Sequence, residues 1–301
     1  MAAVTTATGL IEVTDRIYHP PTTARLLVLD ETDSGRRCHK QRSADAVVAA
    51  AAQAGYTKLT AGSCGNYGLA IAQAAARVGL PATVVVPASF GQADVGSIRD
   101  LGARVIRVGE TYEDAVSASR RLAAECGAAD ANVDGPFAPV VVAALGEIVA
   151  ALDGLPTGPP AGLWVPLGNG TTVAAVAAAV LRRGWSTAVF GASSPGNNSV
   201  LASWPSQRHR RLRPPAVSAT AVNEPLVNWD ALHGQQALDV LHRTGGSAIG
   251  IIDAALVTAS ETIRHAGLRA SPAGAAGVAA MSSALSHTGL AGGSHVAVLT
   301  G

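Results

Sequence analysis

Two kinds of segment alternate along the chain from Tyr56 onward. Short runs rich in β-branched residues predict strands, and the alanine-rich runs between them predict helices. The predicted strands span 83–87, 103–109, 162–168, 187–193, 247–253 and 295–301. The predicted helices span 67–79, 111–127, 171–184, 253–267 and 271–287. Because the strands show no polar alternation and helices separate them, we expect an α/β protein whose mostly parallel sheets are covered on both faces.

Composition argues against several classes of function. The 301 residues carry a net charge of +1, which gives no reason to expect nucleic acid or an acidic membrane surface as a partner. The three cysteines lie far apart, so we expect no metal site and a reducing, cytoplasmic setting. The apolar segment 140–152 is too short to span a bilayer and contains Glu147, which predicts a buried helix. The N-terminal segment lacks the pattern of a secretory signal peptide.

The stretch 194–216 interrupts the alternation. It is rich in proline, serine, asparagine and arginine, and we expect it to form a long surface loop. Its basic part, RHRRLR at 208–213, leaves two interpretations open: a binding surface for an anion or a partner, or an ordinary solvated loop.

The first of two glycine-rich loops is TAGSCGNYGLA, residues 60–70, between a short predicted strand and a helix. Its glycines Gly62, Gly65 and Gly68 let backbone N–H groups approach a ligand closely, and the helix start behind them favours an anion. A dinucleotide site would require the spacing GxGxxG and an acidic residue about 20 positions later. Here the spacing is GxxGxxG and the next strand ends at Pro87, so we expect a small acid rather than NAD.

The second loop, VPLGNGTTVAA, connects a predicted strand to a predicted helix. Its residues Gly168, Asn169, Gly170, Thr171 and Thr172 would offer bare N–H groups and two hydroxyls at a helix N-terminus. Such a set suits a phosphate monoester. No lysine follows the glycines, so the loop is not a nucleotide P-loop. The alternative interpretation is a tight turn with no ligand.

Lys40 is one of only two lysines in the chain, and the other is Lys58. A lysine in an apolar pocket loses its proton readily and can attack an aldehyde. One lysine, one loop for a small acid and one loop for a phosphate together indicate a phosphate-bearing aldehyde cofactor, pyridoxal 5′-phosphate. The alternative is that Lys40 is an ordinary solvated surface lysine.

Five segments, in order along the chain, resemble the fold-type II pyridoxal-phosphate-dependent enzymes, the tryptophan synthase β-like family. The segments are 63–88, 98–115, 165–175, 226–253 and 271–281. The last two are most similar to threonine synthases. The resemblance implies two three-layer α/β domains with the active site between them, and a homodimer. The smaller domain is expected over 43–147, and the larger, cofactor-binding domain from 1–42 together with 148–301.

The resemblance also implies the roles of individual residues. Lys40 would form the covalent link to the cofactor and act as catalytic base. The other implied cofactor contacts are Asn66, Gly168, Asn169, Gly170, Thr171, Thr172 and Thr300. The neutral hydroxyl of Thr300 would face the pyridine nitrogen and favour elimination or replacement over transamination. The implied substrate contacts are Ser63, Cys64 and Gly65.

Three further residues mark departures from the family pattern. Tyr67 stands where smaller residues are common, so it is expected to reshape the site for the substrate's acid group. Arg36 and Arg37 lie in a basic run before the lysine and are candidates for binding an anionic substrate side chain, or else are exposed.

The implied activity is that of a lyase that eliminates or replaces a β- or γ-substituent of an amino acid, as threonine synthases do. The departures favour a substrate of specialised metabolism. Two alternatives are a β-replacement transferase similar to cysteine synthase and a non-catalytic protein that retains the fold.

Overall fold

The computed structural model describes residues 10–13, 24–32, 38–288 and 292–301, which form two compact units. The smaller unit is continuous, from Cys38 to Leu145. Its helices are α1 (Lys40–Gln53), α2 (Asn66–Val78), α3 (Gln92–Asp100), α4 (Tyr112–Cys126) and α5 (Ala138–Gly146, which ends one residue beyond the unit). Its strands are β3 (Leu59–Gly62), β4 (Ala82–Val86), β5 (Arg104–Arg107) and β6 (Ala129–Asp130). The strands form a parallel sheet in the order β5-β4-β3-β6.

Local sequence explains where the helices of the smaller unit begin and end. Thr111 and Asp114 form a capping box at the start of α4, in which each side chain accepts a hydrogen bond from the other residue's backbone N–H. Gly79 ends α2 with a φ of 69°, in the left-handed region that favours glycine. Gly62 ends β3 against the backbone of Val116 in α4, where a Cβ would not fit. The contact between Gly62 and Val116 fixes the carboxyl end of β3, from which the chain continues into Ser63.

The larger unit contains the described residues before Cys38 and those from Gly146 onward. Its strands are β1 (Leu10–Glu12), β2 (Ala24–Glu31), β7 (Gly162–Pro166), β8 (Ala188–Ser193), β9 (Ser247–Gly250) and β10 (Gly293–Thr300). Its α-helices are α6 (Thr171–Arg182), α7 (Ser199–Ser203), α8 (Gly234–Arg243), α9 (Asp253–His265) and α10 (Ala276–Thr288). The sheet has the order β1-β2-β10-β7-β8-β9, and only β1 runs antiparallel to its neighbour among these strands.

An apolar core fills the larger unit between the sheet and its helices. Trp164 of β7 stacks on Phe190 of β8 with ring centroids 4.1 Å apart. Met281 of α10 and Val28 of β2 belong to the same cluster and are fully buried. The ring of Trp164 is 1% exposed, and its Nε1–H donates to Nδ1 of His295 at 3.4 Å. Burial of this kind supplies most of the driving force that keeps β7 and its following loop in place.

The expected α/β class with mostly parallel sheets is confirmed. One prediction is wrong in part: the stretch 194–216 is not simply a surface loop. It contains α7, whose first residue Ser199 is fully buried, and Asn198 before it is also fully buried. The predicted helix over 271–287 is a 3₁₀ turn at Ala273–Ala275 followed by α10. In the part of the chain that the structure describes, no helix is both long and apolar enough to cross a membrane.

Candidate active site

Lys40 is the first residue of α1 and is half-buried. Its carbonyl oxygen accepts a hydrogen bond from the hydroxyl of Ser43 at 2.8 Å. The neighbouring Gln41 is buried, and its Nε2 donates to the carbonyl oxygen of Ala70 in α2 at 3.2 Å and to Asp45 at 2.7 Å. The bond to Ala70 ties the start of α1 to α2, so the backbone that carries the lysine is held on a fixed element.

His39, directly before the lysine, is 5% exposed. Its Nδ1 has no hydrogen-bond partner among the residues described. Burial lowers the pKa of His39 to about 3, and the positive charges of Lys40 and Arg42 add to the effect. The imidazole beside Lys40 is therefore neutral at physiological pH.

The depressed pKa of His39 predicts a specific pH dependence of stability. The unfolded chain takes up a proton near the ordinary pKa of 6.5, whereas the folded chain does so only near 3. The folded state therefore has its full stability with respect to His39 above pH 6.5. It loses stability as the pH falls from 6.5 towards 3, because only the unfolded chain takes up the proton in this range. Between these limits His39 should contribute a fall in the free energy of unfolding of about 1.4 kcal/mol per pH unit.

Urea unfolding of the wild type and His39→Leu from pH 6.5 to pH 4.5 measures this contribution. We expect the slope of the free energy of unfolding against pH to be smaller in His39→Leu than in the wild type, by up to about 1.4 kcal/mol per pH unit. The control His265→Leu alters an exposed histidine and should keep the wild-type slope. Parallel curves for wild type and His39→Leu would contradict the prediction.

Residues Ser63–Gly65 connect β3 to α2 in the smaller unit, and Asn66–Gly68 form the start of α2. The hydroxyl of Ser63 accepts hydrogen bonds from the backbone N–H of Gly65 at 3.2 Å and of Gly68 at 2.8 Å. A Cβ at Gly68 would lie 2.8 Å from Val84 and 3.0 Å from the Ser63 side chain, so the turn requires glycine there. Since Ser63 engages the N–H groups of Gly65 and Gly68, the first-turn N–H groups of Asn66 and Tyr67 are the candidate donors for a carboxylate.

The buried side chains of Tyr67 and Asn132 connect this part of the chain to residues 62 and 131. Tyr67 is 6% exposed, and its hydroxyl donates to the carbonyl oxygen of Ala131 at 2.7 Å. Burial raises the pKa of Tyr67, with further contributions from Asp130 and Asp134. The backbone N–H of Gly62 donates to Oδ1 of Asn132 at 2.8 Å. Tyr67 thus has a structural role, and its expected contact with substrate stays a prediction. Sequence reasoning missed Asn132.

The segment Gly168–Thr172, called the 168–172 loop below, comprises the end of the connection between β7 and α6 and the first two residues of α6 in the larger unit. Gly170 has a φ of 86°, and a Cβ there would lie 2.9 Å from the carbonyl oxygen of His233. A Cβ at Gly168 would lie 2.7 Å from the carbonyl oxygen of Pro225. The Thr171 hydroxyl lies 2.9 Å from Nδ1 of His233. Both glycines are therefore required by close approach of backbone rather than by the turn alone.

Asn198 also holds the start of the 168–172 loop, through the hydrogen bonds of its side-chain amide. Its Nδ2 donates to the carbonyl oxygens of Gly168 and Leu226, each at 2.9 Å, and of Leu167 at 3.3 Å. Its Oδ1 accepts from the backbone N–H of Val200 at 3.0 Å and of Leu201 at 3.2 Å, which caps α7. One fully buried amide therefore joins the end of β7 to the segment that was expected to be a surface loop.

These features fit a phosphate monoester at the 168–172 loop. The first-turn N–H groups of α6 have no intrahelical acceptors, and the positive end of the helix dipole favours an anion. The stretch 165–175 contains no carboxylate that would repel one. The buried Oδ1 of Asn228, which has no hydrogen-bond partner in the described structure, lies in a side chain packed near Gly168. Because this oxygen is an acceptor, it calls for a donor such as a water molecule and is not itself a contact for phosphate.

Thr300 is the last residue of β10 and is 7% exposed. Because β10 and β7 are adjacent and parallel, their carboxyl ends meet the same sheet edge, so Thr300 and the 168–172 loop share that edge. Gly274 packs on the Thr300 carbonyl group and leaves no room for a Cβ.

The predicted site residues are distributed over the two units. The smaller unit holds Lys40, Ser63, Cys64, Gly65, Asn66 and Tyr67. The larger holds Gly168, Asn169, Gly170, Thr171, Thr172 and Thr300. Asn66 is exposed, and Cys64 and Gly65 are partly exposed, as residues that meet a ligand would be. Arg36 and Arg37 lie outside the described residues. The individual roles therefore stay predictions.

Comparison with known proteins gives consistent results. The sequence profile of the family described as pyridoxal-phosphate dependent enzyme matches residues 23–301. An L-threonine ammonia-lyase of Thermotoga maritima is 30% identical over 171 residues, which is 56% of this chain and 41% of that protein. A serine dehydratase-like protein of Homo sapiens is 32% identical over 134 residues, 44% of this chain and 40% of that protein. The matched region thus spans less than half the length of these curated relatives.

Solved structures extend the similarity over nearly the whole chain. A threonine deaminase from T.th. superposes with a TM-score of 0.78 at 25% identity, covering 93% of this chain and 88% of that one. A fungal L-serine ammonia-lyase from Rhizomucor miehei gives a TM-score of 0.82 at 20% identity, covering 99% and 95%. The second similarity concerns the fold alone.

Proposed function

The chain belongs to the family of pyridoxal-phosphate-dependent enzymes, and from that premise we propose that it is a lyase that eliminates the β-hydroxyl of a small amino acid such as L-serine or L-threonine. The observation that carries the proposal is the set of relatives, which are named as ammonia-lyases, dehydratases and deaminases. The expected special likeness to threonine synthases finds no support among them, so that activity becomes the second candidate.

The chain's own residues have separable tasks in this proposal. Lys40 holds the cofactor covalently, and the N–H groups and hydroxyls of Gly168–Thr172 hold its phosphate. Asn66 and Thr300 contact its ring. The N–H groups at the start of α2, beside Ser63, bind the carboxylate of the amino acid. The contacts that fix α1 to α2 support this arrangement because they hold Lys40 and the carboxylate loop on the same packed pair of helices.

The cofactor, when bound, supplies the electron sink for the electron pair left at the α-carbon. Lys40 would take the α-proton as general base, which requires its amine to be neutral and released from the cofactor when it acts. It would then pass this proton to the β-hydroxyl, which would leave as water. Water would hydrolyse the released enamine to ammonia and a 2-oxo acid. A neutral hydroxyl at Thr300, in place of a carboxylate, gives the ring nitrogen no anionic partner and so favours elimination over transamination.

A substrate panel tests the proposal. The purified protein, loaded with pyridoxal phosphate, is incubated with L-serine, L-threonine, O-phosphohomoserine, and O-acetylserine plus sulfide. We expect 2-oxo acid and ammonia from serine or threonine, with Lys40→Ala inactive. Phosphate and threonine from O-phosphohomoserine would instead indicate a threonine synthase, and cysteine would indicate a β-replacement transferase. A visible cofactor band with no product from any substrate would support a non-catalytic role. The homodimer and the cytoplasmic setting stay predictions.

A further inference from the structure

His233 contacts three consecutive residues of the 168–172 loop. It is 8% exposed and stands directly before α8, as the N-cap residue. Its backbone N–H donates to the carbonyl oxygen of Asn169 at 3.0 Å. Its carbonyl oxygen packs against Gly170 so closely that a Cβ on that glycine would lie 2.9 Å from it. Its Nδ1 lies 2.9 Å from Oγ1 of Thr171. The turn is thus built against this one residue through both backbone and side chain.

The hydrogen bond between Thr171 and His233 can run in either direction, and the direction determines what Thr171 offers to a ligand. The threonine hydroxyl has one proton. If Nδ1 accepts that proton, only lone pairs of Oγ1 remain, and these repel a phosphate oxygen. If Nδ1 carries the hydrogen and donates it to Oγ1, the hydroxyl proton is free to be donated to an anion.

We propose that His233 is a positioning residue for the cofactor's phosphate: its Nδ1–H donates to Thr171, so that the Thr171 hydroxyl becomes a phosphate donor and the turn keeps its N–H groups convergent. This inference rests on the proposed assignment of Gly168–Thr172 to the phosphate. It adds a residue that is about 60 positions away in sequence and that no motif of the loop includes. A phosphate accepts hydrogen bonds only, which makes Nδ1–H the tautomer that the site requires.

Equilibrium binding to the cofactor-free protein tests the proposal, with pyridoxal phosphate and its phosphate-free analogue pyridoxal as the two probes. Fluorescence titration of His233→Leu should show about tenfold weaker binding of pyridoxal phosphate, because one charge-assisted donor is lost. Pyridoxal should bind as in the wild type. In His233→Asn the amide nitrogen can take the place of Nδ1, so its affinity for pyridoxal phosphate should stay within about threefold of the wild type.

His242→Leu is the matched control, because His242 lies exposed in the last turn of the same helix α8. It should alter neither affinity. Equal losses for pyridoxal and pyridoxal phosphate in His233→Leu would show a general structural role and overturn the proposal, as would wild-type affinity for both. If His233→Leu does not fold, Thr171→Val carries the test: it must weaken pyridoxal phosphate about tenfold and leave pyridoxal unchanged.

These outcomes are distinguishable from failure of the proposed function. A wild type that binds pyridoxal phosphate and shows the phosphate-specific loss in His233→Leu supports the inference even if serine and threonine are not substrates. A wild type that binds neither probe overturns the inference together with the assignment of the phosphate loop.

Discussion

Replacing Lys40 by alanine should leave a folded protein that neither retains the visible absorbance of bound cofactor nor turns over any amino acid. Lys40 is half-buried at the start of α1, and the only other lysine, Lys58, is exposed. Loss of the group that both binds the cofactor covalently and moves the α-proton should reduce turnover by about 10³-fold or more. Spectra and initial rates of the purified variant measure both effects.

Lys58→Ala is the natural control, since it removes the other lysine of the chain. It should keep the absorbance and the activity. Borohydride reduction followed by peptide mapping should place the cofactor on the peptide that contains Lys40. A yellow, active Lys40→Ala protein, or a label found on Lys58, would remove Lys40 from the mechanism.

Replacing Asn198 by alanine should cost the larger unit a substantial part of its stability. The substitution removes the cap of α7 and takes the Asn198 donor from the buried carbonyl group of Leu167 and the part-buried one of Gly168. The buried carbonyl group of Leu226 keeps only the Ser193 hydroxyl, at 3.3 Å. A lost cap together with unsatisfied buried carbonyl groups amounts to about 3–5 kcal/mol. Urea unfolding, followed by the fluorescence of the tryptophans, measures the change in the free energy of unfolding.

Two further variants identify which contacts of Asn198 matter. Asn198→Asp keeps the acceptor that caps α7 but replaces the donor with an oxygen facing carbonyl groups, so it should be destabilised at least as much as Asn198→Ala. Asn197→Ala should cost only about 1 kcal/mol, since Asn197 is half-buried and bonds to Ser194 and the backbone of Ser218. If the free energy of unfolding of Asn198→Ala lies within about 1 kcal/mol of the wild-type value, the hydrogen bonds of Asn198 do not stabilise the larger unit as proposed.

The sequence was informative where local pattern decides structure. The alternation of apolar strands and alanine-rich helices predicted the fold class, and glycine spacing located both loops, since strand-to-helix turns need glycine for local reasons. It failed for β2, which precedes the region where alternation is regular. It also failed for Asn198 and His233, because their burial depends on partners about 30 and 60 residues away. The asparagine directly before Ser-Val-Leu was a readable helix-capping signal for α7.

The position of β10 between β2 and β7 has a consequence for how the protein is made. Every parallel partner of β2 in the described sheet comes from β10, which the ribosome synthesises more than 250 residues later. The smaller unit, residues 38–145, is continuous, so all the strands of its sheet are synthesised long before β10. During translation, therefore, the smaller unit can fold while β2 still has an unpaired edge, and unpaired strand edges make incomplete chains prone to aggregation.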